Sequence, residues 1–257
     1  MPEEKPYQLI PFSPQRPNLN SPTGHDKFQS GYLHGTLFLS LTVRTPLHIS
    51  TGILVMGSDI NLDHELILTM TQGTDENPII PGSSLKGCVR SVYEAITNST
   101  LGIINRYFQE KIPKNRLPYG QKNSECSKNK LCPASRIFGA LNWQGLVSFT
   151  DAKCQQTSVI QFIPCLYPPQ LKINNNLNSK YFDENGKVKG RKFYYHTMRA
   201  VNQGVPACCA GTESIFTTRL HFKNLKPEEL GTLLIILGQD PNYPISLKIG
   251  AIKPVVM

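Results

Sequence analysis

The chain has 257 residues, enough for one large domain or two small ones with a substantial core. Its 27 Lys and Arg against 18 Asp and Glu give a net charge of +9, which suits a polyanionic partner. No apolar run approaches the roughly 20 residues that span a bilayer, and the N-terminus lacks a signal-peptide hydrophobic region. We therefore expect a cytoplasmic protein with no membrane partner and with its seven cysteines reduced.

The first half of the chain predicts an arm, a strand, a hairpin and a helix. Residues 1–34 are rich in Pro, Asn and Ser and predict an extended arm. From Gly35 to Pro46 apolar and polar residues alternate, which indicates a half-buried strand. Two short apolar runs around a polar centre predict a protruding hairpin at about 50–80. A helix follows at about 83–97, and helical spacing places its buried side at Leu85, Val89, Val92 and Ile96.

The start of that helix is the strongest functional pattern in the sequence. Pro-Gly at 81–82 precedes Ser83 and Ser84, which can cap a helix, and Lys86 and Arg90 lie four residues apart on a solvent-reachable face. Free backbone N–H groups, hydroxyls and two cations together predict an anion site, with phosphate as the anion. Because the spacings of a P-loop and of a Rossmann glycine motif are absent, a nucleic-acid backbone is a better candidate than a nucleotide. The alternative is an ordinary amphipathic helix with solvated charges.

The second half predicts three strands and a second helix. A strand is expected at 145–150, a long surface loop at 170–190, and a strand from Ser214 to Phe222. A helix opens at Pro227, and a last strand covers Ile245–Ile249. The order strand, helix, strand, strand, helix, strand predicts an α+β split β-α-β sheet with both helices on one face.

A polar, Lys- and Asn-rich insertion at about 100–135 contains Cys126 and Cys132. Two thiolates could bind a structural Zn²⁺ and staple a segment with little core of its own. Sequence does not choose the remaining ligands, for which the candidates are Cys88, Cys154, Cys165, Cys208 and Cys209. The alternative is free cysteines, because the usual C-x2-C spacing is missing.

Cations and aromatic residues alternate near position 193. Arg191, Lys192, Tyr195 and His196 combine groups that suit phosphate contact and base stacking in an RNA groove. An ordinary strand with solvated neighbours would show the same pattern.

Six segments, in this order, resemble the RAMP superfamily, the RNA-binding subunits of CRISPR effector complexes, and within it the backbone subunits of type III complexes. The segments are 45–49 (TPLHI), 78–87 (PIIPGSSLKG) with Arg90, 131–139 (LCPASRIFG), 145–151, 190–196 (GRKFYYH) and 225–237. The resemblance implies a ferredoxin-like, RNA-recognition-type core with a protruding thumb hairpin and inserted loops, as one domain over 35–257. It also implies a guide RNA in a basic groove, a target RNA, and other effector subunits stacked in a filament.

The resemblance further implies a catalytic residue, because cleaving members use an aspartate near the thumb with a divalent metal, Mg²⁺ or Mn²⁺. Asp63, which precedes an apolar doublet and then Pro78, fits better than Asp59, and Glu65 is close enough to assist. His48 would lie at the base of the thumb, where it could contact RNA, support the aspartate or serve as a structural residue. The alternatives are a structural or capping subunit that does not cleave and, last, a stand-alone endoribonuclease that processes guide RNA, for which the six histidines form no local pair.

Overall fold

Fifteen strands and three α-helices form the part of the chain that the structure, a computed structural model, describes: residues 7–60, 63, 66–156, 158–163, 171–194 and 204–250. The helices are α1 (Gly82–Ile96), α2 (Pro133–Phe138) and α3 (Pro227–Ile236). The strands are β1 (Tyr7–Pro11), β2 (Leu33–Thr42), β3 (Ser50–Met56), β4 (Leu66–Met70), β5 (Ile79–Ile80), β6 (Gly139–Ala140), β7 (Trp143–Gln144), β8 (Val147–Phe149), β9 (Ala152–Cys154), β10 (Val159–Ile163), β11 (Lys172–Ile173), β12 (Asn176–Leu177), β13 (Gly190–Tyr194), β14 (Val205–Cys209) and β15 (Ile215–Leu225). The prediction of a mixed α+β protein is confirmed.

The two longest alternating segments of the sequence pair at the centre of the fold. β2 and β15 run antiparallel, with Phe38 opposite Arg219. The other edge of β15 pairs with β8 and β9, and β9 pairs with β5. Along β15 Phe216 and Leu220 are buried whereas Arg219 and His221 are exposed. This period-2 pattern leaves one face of the central sheet apolar, so that face needs a cover.

The helices provide that cover. Leu85, Val89 and Tyr93 of α1 pack in one core with Leu233 and Ile236 of α3 and with the apolar face of the sheet. Fully burying each such side chain contributes about 1.5–3 kcal/mol. None of the helices within the described residues has the length and apolarity needed to cross a membrane.

The buried side of α1 differs in part from the predicted one. Leu85 and Val89 are buried as expected, but Val92 is only partly buried and 51% of Ile96 is exposed. Tyr93 takes the inner position instead, where its ring meets that of Phe138 edge-on at 5.4 Å. The inner stripe therefore follows the i, i+4, i+8 row of the helix, which a pattern of aliphatic residues alone does not reveal.

The predicted last strand is absent from the described residues. Residues 245–250 carry no strand pairing, although Leu247 and Ile249 are buried in the main core. Gly250 has a φ of +119°, a conformation that favours glycine, and its backbone passes close to the His48 carbonyl. The apolar alternation thus reflects burial of every second side chain rather than a hydrogen-bonded ladder.

The predicted hairpin at 50–80 belongs to a second sheet. β3 and β4 pair antiparallel, with Val55 opposite Ile67, and β4 then pairs parallel with β14, which pairs with β10. The tip contains a short 3-10 helix, Gly57–Ile60. Exposed apolar side chains follow the hairpin at Ile53, Leu54, Met56 and Leu66.

The N-terminal arm is fixed to the body of the protein rather than free. β1 pairs antiparallel with β13, and the buried guanidinium of Arg116 donates to the carbonyls of Ser13 at 2.7 Å and Gln15 at 2.9 Å. The same guanidinium donates to Asn98 Oδ1 at 2.6 Å. The described part of the predicted arm is thus tied to the rest of the protein by a strand pairing and by one buried cation that donates to the arm's backbone carbonyls.

The predicted surface loop at 170–190 also has structure of its own. β11 and β12 form a small hairpin within it, and Tyr181 and Phe182 are buried against Tyr7 in a second, smaller core. The insertion at 100–135 contains two 3-10 helices, Arg106–Lys111 and Lys114–Arg116. The loop at 170–190 thus packs in the second core, whereas Cys132 and Ala134 at the end of the insertion belong to the main one.

Candidate nucleic-acid interface

The start of α1 is held by a carboxylate rather than by the predicted serines. The N-cap residue is Pro81, which makes no side-chain cap, and Ser83 and Ser84 are exposed in the first turn. The Gly82 amide donates to Asp151 Oδ1 at 2.8 Å. A Cβ on Gly82 would lie 2.2 Å from the Phe149 carbonyl oxygen, so only glycine fits against the end of β8. The prediction of a free helix terminus for a phosphate is therefore wrong at its first amide, which Asp151 already occupies.

A groove runs along the exposed side of α1. Two connected cavities of about 380 and 530 Å³ share Gly87, Cys88, Ser91 and Lys248, and we call them together the α1 groove. Its opposite wall is the segment 245–250. Cys88 Sγ donates to the Lys248 carbonyl at 3.2 Å, and Lys248 Nζ donates to the Tyr194 carbonyl at 2.8 Å. These two bonds fix the width of the groove before any ligand arrives.

Small residues line the helix side of the α1 groove. Ser84, Gly87 and Ser91 recur at spacings of three and four residues, which places them on one stripe of the helix. A Cβ built on Gly87 would meet nothing within 4 Å, so no contact within the protein requires glycine there. Glycine inside a helix costs about 0.5–1 kcal/mol relative to alanine. A ligand that must come close to the helix backbone from outside the protein is a physical reason to keep glycine at this position.

Lys86 carries a charge that none of the described residues neutralises. It is half-buried at the first turn of α1 and forms no hydrogen bond or ion pair with any residue in the described ranges. Burial, and then the charge of Arg90, lowers the pKa of its ammonium group. A cation whose charge is disfavoured in the free protein gains most from an arriving anion.

Arg90 and Arg191, both predicted to contact RNA, instead share a buried carboxylate. Only 5% of Glu94 is exposed, and it accepts from Arg90 Nε at 2.8 Å and from an Arg191 terminal nitrogen at 2.9 Å. Arg90 also donates to the Gly139 carbonyl at 3.0 Å and Arg191 to the Ser99 carbonyl at 2.7 Å. Lys86 and Arg90 therefore do not form a free cationic pair, because Arg90 is committed to joining α1 to the rest of the core.

Of the other predicted RNA contacts, one lies at the α1 groove and two fall outside the described residues. The Lys192 ammonium donates to Tyr194 Oη at 2.7 Å and lies 4.7 Å from the Tyr7 ring centroid. Tyr195 and His196 lie outside the described residues. Lys192 lines the α1 groove, as do the committed Arg90 and Arg191, whereas Lys86 lines neither cavity but directly precedes Gly87, which lines both.

His48 is a buried structural residue in this conformation. Its side chain is fully buried, and Nδ1 lies 2.8 Å from the Cys208 carbonyl oxygen. Burial lowers the pKa of its imidazole, which favours the neutral ring. Nε2 is buried without a hydrogen-bond partner among the described residues. No part of the ring reaches the solvent, so it cannot touch RNA in this conformation.

The two candidate catalytic aspartates lie at the tip of the β3–β4 hairpin. Asp59 is exposed in the 3-10 helix, and Asp63 is exposed in a bend between that helix and β4. Glu65 lies outside the described residues. Within the described ranges no third His, Cys, Asp or Glu joins them in a cluster that could hold a metal ion. The described residues thus do not form a complete Mg²⁺ or Mn²⁺ site, and we derive no metal-dependent step.

The two candidate zinc ligands are buried near each other. Cys132 is the N-cap of α2, where its thiol lies 3.1 Å from Thr100 Oγ1. Burial, and then the neighbouring Cys132, raises the pKa of the Cys126 thiol. The part of the chain that is described brings no third ligand to this pair, and a closed zinc site needs four. The residues described do not fit the predicted site, which stays a prediction.

Four residues of this surface are missing from the predicted contacts. Ser91 and Gly87 continue the stripe begun by Ser84, and their spacing is a signal that the sequence offers. Lys248 approaches α1 only through the tertiary fold, and no local pattern marks it. Glu94 lies four residues after Arg90, a spacing that signals an ion pair.

No curated protein matches the chain. Among solved structures, a chain of the cryo-EM structure of the Type III-B Cmr-beta bound to cognate target RNA is similar, at 15% sequence identity and a TM-score of 0.38. That match covers 86% of this chain and 60% of the other, so this chain spans less than two thirds of its length. At that similarity we draw neither fold detail nor function from it. The model of the RAMP superfamily matches residues 40–237, about three quarters of the sequence, and the chain therefore belongs to the RAMP superfamily.

Proposed function

We propose that this protein is a guide-RNA-binding backbone subunit of a type III CRISPR effector complex and that the α1 groove holds the RNA backbone. The observation that carries the proposal is that Lys86, which has no ion-pair partner among the described residues, directly precedes Gly87 in α1, where a pre-formed groove lined by small residues of the helix opens. Phosphates suit such a surface because a basic side chain neutralises them while serine hydroxyls and an open backbone allow close approach. Partner subunits and a target RNA belong to the same proposal.

The finer description of the fold is part of this proposal. β2, α1, β8 with β9, β15 and α3 follow one another in the order of a ferredoxin-like core, and the sheet order places β15 between β2 and the β8–β9 pair. This order supports an RNA-recognition-type core with antiparallel neighbours. The β3–β4 hairpin, with its exposed apolar side chains, is the candidate thumb.

The test of RNA binding is the substitution Lys86→Ala. We expect weaker binding to single-stranded RNA of any sequence, and a salt dependence whose slope of log K against log salt falls by about 0.7, the value of one phosphate contact. Lys153→Ala is the matched control, because Lys153 is exposed on the sheet face opposite the helices. Fluorescence anisotropy over a range of salt concentrations measures both. Equal affinities and slopes for Lys86→Ala and the parent protein would show that the RNA backbone does not pass the Lys86 end of the α1 groove.

Cleavage of target RNA at the hairpin tip is the enzymatic part of the proposal. Asp63 is an exposed carboxylate on a hairpin tip, and a carboxylate can orient or deprotonate the attacking 2′-hydroxyl. In the complex reconstituted with guide RNA and partner subunits, Asp63→Asn should slow one cut of labelled target RNA by about 10²- to 10⁴-fold. Asp59→Asn should have the smaller effect. An unchanged ladder of products with Asp63→Asn would assign the subunit to the structural, non-cleaving role.

A further inference from the structure

A second groove lies on the insertion, on residues that the α1 groove does not use. Two cavities of about 690 and 820 Å³ share Tyr107 and Lys111, and we call them together the insertion groove. Its walls come from the 3-10 helix Arg106–Lys111 and from the segment 171–187. None of the residues that line it lines the α1 groove. A ligand bound there would therefore make its contacts independently of α1.

The charge of the insertion groove is strongly one-sided. Within the described residues its lining includes one carboxylate, Glu110, and five lysines: Lys111, Lys114, Lys122, Lys172 and Lys187. None of these lysines forms an ion pair with another described residue. Like charges gathered around a concave surface repel each other and attract an anionic ligand. Several cations lining one groove suit a chain of phosphates better than a single small anion.

Two aromatic side chains, one of them almost fully exposed, line the groove beside these lysines. Tyr107 is 93% exposed, although it lines both cavities, and Phe108 next to it is also exposed. Below them Leu171, Leu177 and Phe182 form an apolar floor that belongs to the second core. An exposed ring above a fixed floor is a surface on which a base can stack. Sequence-tolerant binding of single-stranded nucleic acid uses this combination of stacking and backbone charge.

We propose that the insertion groove is a second RNA-binding site, which takes a single-stranded segment with lysines at its phosphates and Tyr107 against a base. The amides of Asn123 and Asn175, which line the two cavities, can hydrogen-bond to base edges or sugar hydroxyls. Single-stranded RNA uses both properties of the groove, its charge and its exposed ring. An acidic peptide would engage the lysines but gives no reason for the unpacked tyrosine.

Photocrosslinking locates the site directly. The full chain is mixed with an oligouridine of about 20 nucleotides that carries 5-iodouridine, irradiated, digested and analysed by mass spectrometry. We expect a crosslinked peptide that contains Tyr107, in addition to any from the α1 groove. Crosslinks that spare the insertion in the parent protein would overturn the proposal.

Variants made in the Lys86→Ala background separate the two RNA sites. Tyr107→Ala should weaken oligouridine binding by about 5- to 150-fold, the loss of one stacked base. Lys114→Ala with Lys122→Ala should lower the salt slope by about 1.4, the value of two single-strand phosphate contacts. All three side chains are exposed, so the variants should unfold at the temperature of the parent.

The controls match each change in kind. Tyr243→Ala removes a tyrosine that is 66% exposed and lines neither groove. Lys128→Ala with Lys130→Ala removes two exposed lysines of the same insertion that line neither groove. If the groove variants bind RNA as tightly as these controls, the proposal is wrong. That result is also the one expected if the insertion groove binds an acidic segment of a protein partner instead of RNA. All of these variants lack Lys86, so the groove variants and their controls can be compared whether or not the α1 groove binds RNA.

Discussion

The two halves of α1 use their charges in opposite ways. In the C-terminal half, Arg90 is bonded to Glu94, which also binds Arg191, so the charges are neutralised inside the protein. In the N-terminal half, Lys86 has no counter-charge among the described residues, and Gly87 leaves the helix bare beside a groove. The same helix thus fixes the fold at one end and offers a surface at the other. Positive residues on one helix face are not a single functional unit when their partners differ.

The largest loss of stability is expected from a substitution in the C-terminal half of α1. Glu94→Gln keeps the size of the side chain but leaves Arg90 and Arg191 largely buried without a counter-charge, which should lower the free energy of unfolding by about 3–5 kcal/mol. Urea denaturation measures the change. Glu213→Gln is the control, since Glu213 pairs with Arg44 on an exposed surface and should cost less than about 1 kcal/mol. A loss below that of the control would show that the network does not hold α1.

An intermediate effect is expected at the point where α1 begins. Asp151→Ala removes the acceptor of the Gly82 amide and a negative charge at a helix N-terminus, so stability should fall by about 1–2 kcal/mol. Thermal unfolding checks this against Asp75→Ala, which removes an exposed carboxylate that accepts from Asn77 Nδ2 at 3.2 Å and lies at no helix N-terminus. Equal melting temperatures for the two variants would mean that the helix start needs no carboxylate.

The smallest effect, and the one that separates stability from binding, is expected at Gly87. Gly87→Ala should raise the free energy of unfolding by about 0.5–1 kcal/mol, because alanine favours helix and meets no atom within 4 Å. The same change should weaken RNA binding by narrowing the α1 groove. Gly231→Ala in α3 is the matched control, since a Cβ at Gly231 would also meet nothing within 4 Å. This variant should gain stability and keep the RNA affinity of the parent protein. Equal changes in RNA affinity for Gly87→Ala and Gly231→Ala would contradict a binding role for the N-terminal half of α1.

Local periodicity predicts the framework of this chain well. The alternation of apolar residues predicts β2 and β15, and the Pro-Glu-Glu start predicts α3, where Glu229 accepts from the Lys226 amide at 3.0 Å. These features depend on neighbours along the chain, so the sequence itself contains their cause. The predicted α1 is shifted by one residue at each end.

Long-range partners explain what the sequence does not predict. The residues around Arg191 in the sequence predict a cation that is free to contact solvent or RNA. In the structure Arg191 instead donates to Glu94, which lies 97 positions earlier in the chain. His48 is similarly a strand-end residue by pattern and a buried one by packing, because Cys208 reaches it from β14. The hairpin of β3 and β4 is predicted by its two runs, but its pairing with β14 depends on a strand far along the chain. Spacing marks candidate side chains, and only the tertiary fold decides which of them are already bonded.

The pairing of β2 with β15 has a consequence for how the protein is made. A span of 185 residues separates Thr36 from His221, which contact each other across this pair. A ribosome adding about 5–20 residues per second needs roughly 10–40 s to produce that span. During this time the apolar side of β2 has no strand to join, and its alternating Leu37, Leu39 and Leu41 remain uncovered. A nascent chain of this kind is a natural client for chaperones that shield newly made hydrophobic strands until the last third of the protein emerges.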